Sequence, residues 1–440
     1  MNDRIAFIIA ELIDQYTIAD HNRTWVIGFS GGKDSTVLLT LVWMALSRVR
    51  DNIGEKHLKR AVYVVCNDTW VENPIIAEYA QRVLDQIAGA ATLQGLPIRV
   101  KKTTPRLADS FWVNLIGKGY PAPNNAFRWC TERLKIRPTV RFIDEMIAAG
   151  EEAIVLVGTR KSESVNRAKS IKKHEIKGKR LSKHPLQKNV SVYAPISDLA
   201  LEEIWYIIHT YKSPWGGDHT ELLSIYSDAA ADDYECPTMV SNKEHKSCGQ
   251  SRFGCWTCTV VKRDKSISAQ IKKGREWLIP LRDLRDWIQA ERNKAENRCA
   301  FRRNGNPAIN GMGVVEPKHR AKILKRVFEA QKEIGERGIE MKLIRNRELI
   351  AIQTIWHGDL HFDYKVSDIY NAVFHKQLDM KQHGESIKKE KEILLSACNQ
   401  DKTQVEIIQG LLRIQKDKAT MKRRHGLNLD IEGIYEKYIK

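Results

Sequence analysis

At 440 residues, 42% of them hydrophobic, the chain is long enough to bury a full core and to form two or three domains. Its 72 Lys and Arg against 54 Asp and Glu leave a formal net charge of +18, which favours a polyanionic partner, nucleic acid ahead of an anionic membrane surface. No apolar run is long enough to span a bilayer, Met1 to Tyr16 lacks the order of a secretory signal, and four of the eight cysteines fall between positions 236 and 258, which suits thiolate ligation in a reducing cytoplasm rather than a disulfide framework.

In chain order, Ile5, Ile8, Ile9, Leu12, Ile13 and Tyr16 predict an N-terminal helix within residues 1–20. Trp25 to Phe29 reads as a strand, and Val37, Leu38, Leu41, Val42, Ala45 and Leu46 recur at helical spacing. Between them lies Ser30-Gly31-Gly32-Lys33-Asp34-Ser35. A strand-to-helix turn aims backbone N–H groups and a helix N-terminus at one point, which suits phosphate oxygens. Gly31 and Gly32 admit close approach, Ser30 and Ser35 add hydroxyls, and Lys33 adds a positive charge. The Walker A spacing is absent, and an ordinary glycine-rich turn is the alternative. Asp34 is either a metal ligand or a first-turn acid that complements the helix dipole.

Ala61 to Cys66 is a continuous β-branched run and predicts a buried parallel strand, followed by a helix over 74–88. Ile98 to Val100 predicts a third strand, 133–149 a helix interrupted near Pro138, and Ala153 to Gly158 a fourth strand. The succession implies a doubly wound, mostly parallel α/β sheet over residues 21–230, with its ligands at the carboxyl ends of the strands. The polar residues there are Ser30 to Ser35, then Asn67-Asp68-Thr69, then Gly158-Thr159-Arg160-Lys161. Asp68 either holds Mg²⁺ or a nucleoside, or caps a turn. From Arg160 to Lys188 the chain is dense in Lys, Arg and His, and reads as a flexible basic loop over 160–189. It is either a solvated loop or a flap over polyanion or ATP, with Arg160 and Arg167 nearest the phosphates.

Cys236, Cys248, Cys255 and Cys258 follow the pattern C-x11-C-x6-C-x2-C and mark residues 231–265 as a Cys₄ metal element. Spacing leaves zinc and a 4Fe–4S cluster both open. Gly249 and Gly254 permit a tight wrap, and Trp256 is placed to exclude water. Cys130 lies between Arg128 and Arg133, where a cationic setting lowers a thiol pKa. It is read either as a sulfur-relay thiol beside ATP or as a half-buried structural cysteine. Cys66 reads as core, and Cys299 and Cys398 receive no chemistry. Residues 266–440 read as a basic, mainly helical region with Trp277, Leu278, Leu281, Leu284, Trp287 and Ile288 as one stripe. Its basic stretches at Arg302 to Pro307 and His319 to Arg326 are either a DNA-backbone surface or a solvated helix face.

Taken together, these residues resemble the PP-loop ATP pyrophosphatases, in their phosphoadenosine-phosphosulfate-reductase-like branch, and within it the DndC/SspD sulfurtransferases of bacterial DNA phosphorothioation. The resemblance rests on Ser30–Ser35, Asn67-Asp68-Thr69, Arg128 to Pro138, Gly158-Thr159-Arg160 with Glu163, Ser164 and Arg167, and Ser251 to Val261. It covers roughly residues 20 to 265. It implies ATP and Mg²⁺ bound by Ser30, Gly31, Gly32, Lys33, Asp34, Ser35, Asp68, Gly158, Arg160 and Arg167, with Lys33, Asp34, Asp68, Cys130 and Arg160 catalytic. It further implies a 4Fe–4S cluster on Cys236, Cys248, Cys255 and Cys258, with DNA, a cysteine desulfurase and other phosphorothioation proteins as partners. A DNA phosphate oxygen would attack the α-phosphate of ATP, pyrophosphate would leave, and sulfur would replace the activated oxygen.

Three departures bear on substrate. The chain ends Glu436 to Lys440 without the reductases' cysteine, no two cysteines are adjacent, and Asp68-Thr69-Trp70 stands where reductases have Asp-Thr-Gly. They disfavour a soluble sulfate donor. A tRNA thiolase or a sulfate-assimilation reductase of the same fold remains the rival enzyme, and a Cys₄ zinc nucleic-acid-binding module the non-enzymatic rival.

Overall fold

The structure, a computed structural model, describes residues 2–18, 23–148, 152–163, 165–176, 178–184, 189–229, 254–359, 361–376, 392–419 and 427–438. The chain divides into two compact units, one of Met1–Arg106 with Asn125–Leu278, the other of Leu107–Asn124 with Ile279–Lys440.

The first unit carries a six-stranded sheet of β1 (Thr24–Gly28), β2 (Val62–Asn67), β3 (Ile98–Thr103), β4 (Ala153–Leu156), β5 (Ser182–Lys183) and β6 (Val190–Tyr193), in the order β3-β2-β1-β4-β6-β5. Every pairing is parallel except that of β5 with β6. The strand order reverses between β1 and β4, and in sheets of this kind ligands bind at the carboxyl ends of the strands.

Alternation along each strand sorts the core. Trp25, Ile27, Val62, Val64, Ile154 and Leu156 face one layer, with α1 (Asn2–Thr17), α2 (Lys33–Arg48), α3 (Pro74–Leu93) and α7 (Leu201–Thr210). Val26, Val65, Ala153, Val155 and Val190 face the other, against Phe142, Ile143 and Met146. Those three side chains come from a helical stretch that runs from α4 (Trp129–Thr131) through a π-turn at Glu132–Ile136 into α5 (Arg137–Ala148). The expected interruption thus falls just before Pro138. Residues 35–43 of α2 are buried without a break, so that helix is central and its first turn is held in place. Each of its aliphatic side chains contributes about 1.5–3 kcal/mol by burial.

Two expectations need correction. The basic stretch expected as a loop contains α6 (Val165–His174) and β5. Good helix formers such as Lys, Arg and Ala hold α6 together without a full apolar stripe, leaving Lys172 and Lys173 exposed. The fifth parallel strand, β6, was not anticipated.

The second unit is helical, with α8 and α9 of the first unit, Thr220–Ala229 and Lys265–Lys272, preceding it in sequence. Its elements are α10 (Ile279–Glu291), α11 (Pro317–Glu336), α12 (Asn346–Gly358), α13 (Val366–Phe374) and the helices Lys402–Ala419 and Leu427–Tyr438. Phe111, Trp112, Leu115 and Ile116 are buried in it. The Trp112 indole donates to the Leu343 carbonyl at 2.7 Å and that of Trp356 to Ile116 at 3.0 Å. Among the described residues no helix is long and apolar enough to cross a membrane.

Candidate active site

The loop after β1 is bound to itself before anything else reaches it. Ser35 Oγ donates to the Gly32 carbonyl at 2.9 Å and accepts from the Ser30 amide at 3.3 Å, and the two serine hydroxyls lie 3.3 Å apart. Gly31 has φ of +75°, a left-handed conformation that favours glycine. Gly32 caps α2 with extended backbone and no side-chain bond. The first turn of α2 thus carries main-chain donors without intrahelical acceptors, as an anion site requires, and the first of them, the Lys33 amide, donates to Tyr226 Oη at 3.1 Å. Lys33 Nζ lies 3.6 Å from Asp34 Oδ2.

The loop after β4 closes on that turn. A Cβ at Gly158 would lie 3.0 Å from the Asp34 carbonyl oxygen and 3.3 Å from the Ser35 nitrogen, so only glycine lets the two backbones approach this closely. Arg160, 4% exposed, donates from Nε to Asp34 Oδ1 at 2.6 Å and from Nη1 to Ser162 Oγ at 2.8 Å. Its backbone N–H donates to Glu163 at 2.9 Å. Arg160 therefore orients Asp34. Of Arg167 the structure describes only its place in α6.

At the end of β2, Asp68 Oδ1 accepts from the Trp70 amide at 3.0 Å, and Oδ2 lies 3.4 Å from Lys102 Nζ. The turn-forming part is thus present. Trp70 adopts φ of +67°, the conformation glycine would take without strain. The residues that follow pair with the cysteine turn. Asn73 donates to the Gly254 carbonyl at 3.2 Å, the Trp256 amide donates to Val71 at 3.0 Å, and Glu72 bridges Cys255. Thr69 Oγ1 stands 3.3 Å from Cys255 Sγ, and the Cys258 amide donates to the Cys255 carbonyl at 3.0 Å. Trp256 is buried, in keeping with a part in excluding water.

These two constructions meet in one cleft of about 100 Å³, lined by Phe29, Ser30, Cys66, Asn67, Glu72 and Lys135 together with Ile76 and Gly254. Burial pushes the Cys255 thiol up to about 11, with Lys135 opposing it. Burial also raises the Glu72 carboxyl. Lys135 is raised, first by the charge of Cys255. Cys130 is raised as well, by burial first and then by Cys258. This corrects the expectation of a lowered Cys130 pKa: desolvation outweighs the flanking arginines. Sequence reasoning gave Lys135 and Glu72 no role of their own, although Lys135 lies within the Arg128 to Pro138 motif and Glu72 just beyond Asn67-Asp68-Thr69.

The expected metal donors are only partly visible. Cys236 and Cys248 lie outside the described residues, and among those described no group of three donors is gathered. Cys255 and Cys258, carried on a hydrogen-bonded turn behind a buried tryptophan, are soft donors that fit zinc or an iron–sulfur cluster. Burial keeps the Cys255 thiol protonated at neutral pH, so its ligation would release a proton.

A model of the phosphoadenosine phosphosulfate reductase domain matches residues 24–261. An uncharacterized protein of Methanocaldococcus jannaschii is 28% identical over 191 residues, 43% of this chain and 32% of that protein, so the chain spans about a third of the relative's length. Three solved structures align at 14% identity and a TM-score of 0.29, a level that bears on neither substrate nor activity. Phosphoadenylyl-sulfate reductase from Candida auris in its phosphate complex is matched over 46% of this chain and 78% of that one. The U34-tRNA thiolase NcsA from Methanococcus maripaludis with its 4Fe-4S cluster is matched over 53% and 76%. The ammonia-dependent NAD synthetase from Campylobacter jejuni is matched over 67% and 96%.

Proposed function

The chain belongs to the phosphoadenosine phosphosulfate reductase domain family, and from that premise we propose that it is an ATP pyrophosphatase that activates a DNA backbone phosphate for replacement of one oxygen by sulfur. The observation that carries this reading is the shared cleft, which has the phosphate loop at Ser30 on one wall and the cysteine turn at Gly254 on another.

In this reading the amides of the first turn of α2 and Lys33 hold the ATP phosphates, and Asp34, steadied by Arg160, carries Mg²⁺. A non-bridging DNA oxygen attacks the α-phosphorus. The bond to the β-phosphate oxygen breaks, and pyrophosphate departs. The outer sulfur of a persulfide, supplied by a cysteine desulfurase, then attacks the activated phosphorus, AMP leaves with the displaced oxygen, and a second thiol cleaves the S–S bond, ending as a disulfide and leaving the phosphorothioate. Lys135, lining the cleft, neutralises charge near the incoming sulfur. Cys255 and Cys258, with Cys236 and Cys248, would hold an iron–sulfur cluster.

Charge supports DNA as the acceptor. On α11 of the second unit, Lys318, Lys322 and Arg326 are exposed and have no carboxylate within ion-pair distance among the described residues. Lys322 and Arg326 lie 5.5 and 4.9 Å from the Trp287 ring centroid, which orders them. An ordered cation row without counter-charge suits a phosphate backbone.

Two measurements test the proposal. Anaerobically purified protein should be brown and release pyrophosphate from ATP, and Lys33→Ala and Asp34→Ala should abolish the release; a colourless zinc protein would remove the iron assignment. Mass spectrometry of nuclease-digested DNA should show phosphorothioate dinucleotides that depend on the gene. Their absence would leave tRNA as the acceptor to examine.

A further inference from the structure

We propose that the hydroxyl of Tyr226 occupies a phosphate-oxygen position of the Ser30–Ser35 loop, and that ATP binds by displacing it. The proposal rests on the ATP reading of the loop and goes beyond it by assigning Tyr226, 193 residues away in sequence from Lys33.

The geometry is specific. The Lys33 amide opens α2 and has no acceptor within the helix. It donates to Tyr226 Oη at 3.1 Å. The same oxygen lies 3.2 Å from where a Cβ at Gly32 would stand, so the tyrosine reaches the loop backbone only because that residue is glycine. Lys33 Nζ sits 5.1 Å from the centre of the Tyr226 ring. An oxygen on a main-chain donor at a helix N-terminus, beside an ammonium group, has the surroundings of a phosphate oxygen. Tyr226 is held there from behind: it is 6% exposed, and Trp205 packs edge-on to it at 5.1 Å.

One N–H directs one strong hydrogen bond, so the hydroxyl and a phosphate oxygen exclude each other at Lys33. The anionic oxygen is the better acceptor and wins when nucleotide is abundant. Until then the tyrosine lowers the fraction of protein competent to bind, and apparent affinity falls by that fraction. The displaced ring belongs to α8, so nucleotide entry is felt along Thr220–Ala229.

The test uses the full chain and α,β-methylene-ATP with Mg²⁺. Tyr226→Phe keeps the ring and removes the competitor, so its Kd should fall about three- to tenfold below wild type. In wild type, the analogue should speed hydrogen exchange in the peptide covering Thr220–Ala229. Equal or weaker binding by Tyr226→Phe overturns the proposal, because the hydroxyl is then a bystander or a direct ligand. Unchanged exchange in wild type overturns it independently, should the variant fold poorly. If wild type binds no analogue at millimolar concentration, the ATP reading fails and this proposal with it, an outcome distinct from tight binding that ignores the hydroxyl.

Discussion

Arg160 and Asp34 leave the sheet from different strands, yet Nε of one stands 2.6 Å from Oδ1 of the other, and the arginine is almost wholly buried. The pair ties the β4 loop to the first turn of α2. Arg160→Ala would leave Asp34 without this partner and is expected to cost about 3 kcal/mol of stability. Arg160→Lys should fold better and still release pyrophosphate more slowly, because one ammonium cannot serve both Asp34 and Ser162 in the same plane. Urea titration and a pyrophosphate assay separate the two effects; an Arg160→Lys enzyme at wild-type rate would refute the positioning role.

Gly158 tests the same junction sterically. An added methyl meets the Asp34 carbonyl oxygen at 3.0 Å, and backbone cannot swing aside as a side chain can. Gly158→Ala should reduce pyrophosphate release about tenfold or more, through displacement of the α2 turn. Gly89, inside α3 with open space around it, is the control, since Gly89→Ala should leave activity intact and raise stability by about 0.5–1 kcal/mol.

Alkaline pH should destabilise the fold through Cys66. Burial pushes this thiol from 9.0 to about 12, so the unfolded chain releases its proton well before the folded one does. Its contribution is therefore intact below pH 9 and is lost progressively as pH rises toward 12. One such group gives a slope of up to about 1.4 kcal/mol per pH unit. Anaerobic urea unfolding from pH 8 upward should show the decline, and Cys66→Ala should make it shallower, with Cys255 and Cys299, each raised by burial to about 11, supplying the remainder. Burial raises Tyr16 from 10.0 to about 12, which adds a further component only above pH 10.

The α11 cations predict a salt dependence. Replacing Lys318, Lys322 and Arg326 together by Gln should weaken DNA binding and lower the slope of log K against log salt by about 2 to 3. Fluorescence anisotropy across a sodium chloride series reads both quantities. An unchanged slope would place the DNA elsewhere on the protein.

β1, β2 and β4 were legible because each is an apolar run rich in β-branched residues and bounded by polar turns, while the edge strand β3, Ile98–Thr103, showed only through Ile98-Arg99-Val100 before its lysines. β6 was not, since Val190-Ser191-Val192-Tyr193 is short, half polar and preceded by a basic stretch. The Ser30–Ser35 turn between β1 and α2 was legible residue by residue. What holds it was not: Tyr226 reaches it from α8, and no local periodicity encodes a contact across that distance in sequence. The cysteine turn was visible as C-x-x-C, whereas its pairing with Val71, Glu72 and Asn73 arises only from chain packing. Cys130 shows the limit of charge counting, because neighbours along the chain said cationic and the folded surroundings said dry.

The path of the chain also governs the order in which the protein can be completed during translation. Leu107–Asn124 belongs with residues that begin at Ile279: the Trp112 indole donates to the Leu343 carbonyl, and the Ile116 carbonyl accepts from the Trp356 indole. As the ribosome elongates, the sheet can close once residue 278 has emerged, while this stretch waits for helices not yet made. A nascent chain paused there presents Phe111, Trp112, Leu115 and Ile116 without their cover, the kind of surface that chaperones bind. Cutting the gene at that point would not isolate the sheet-bearing unit cleanly; replacing residues 107–124 by a short polar linker would be the sounder dissection.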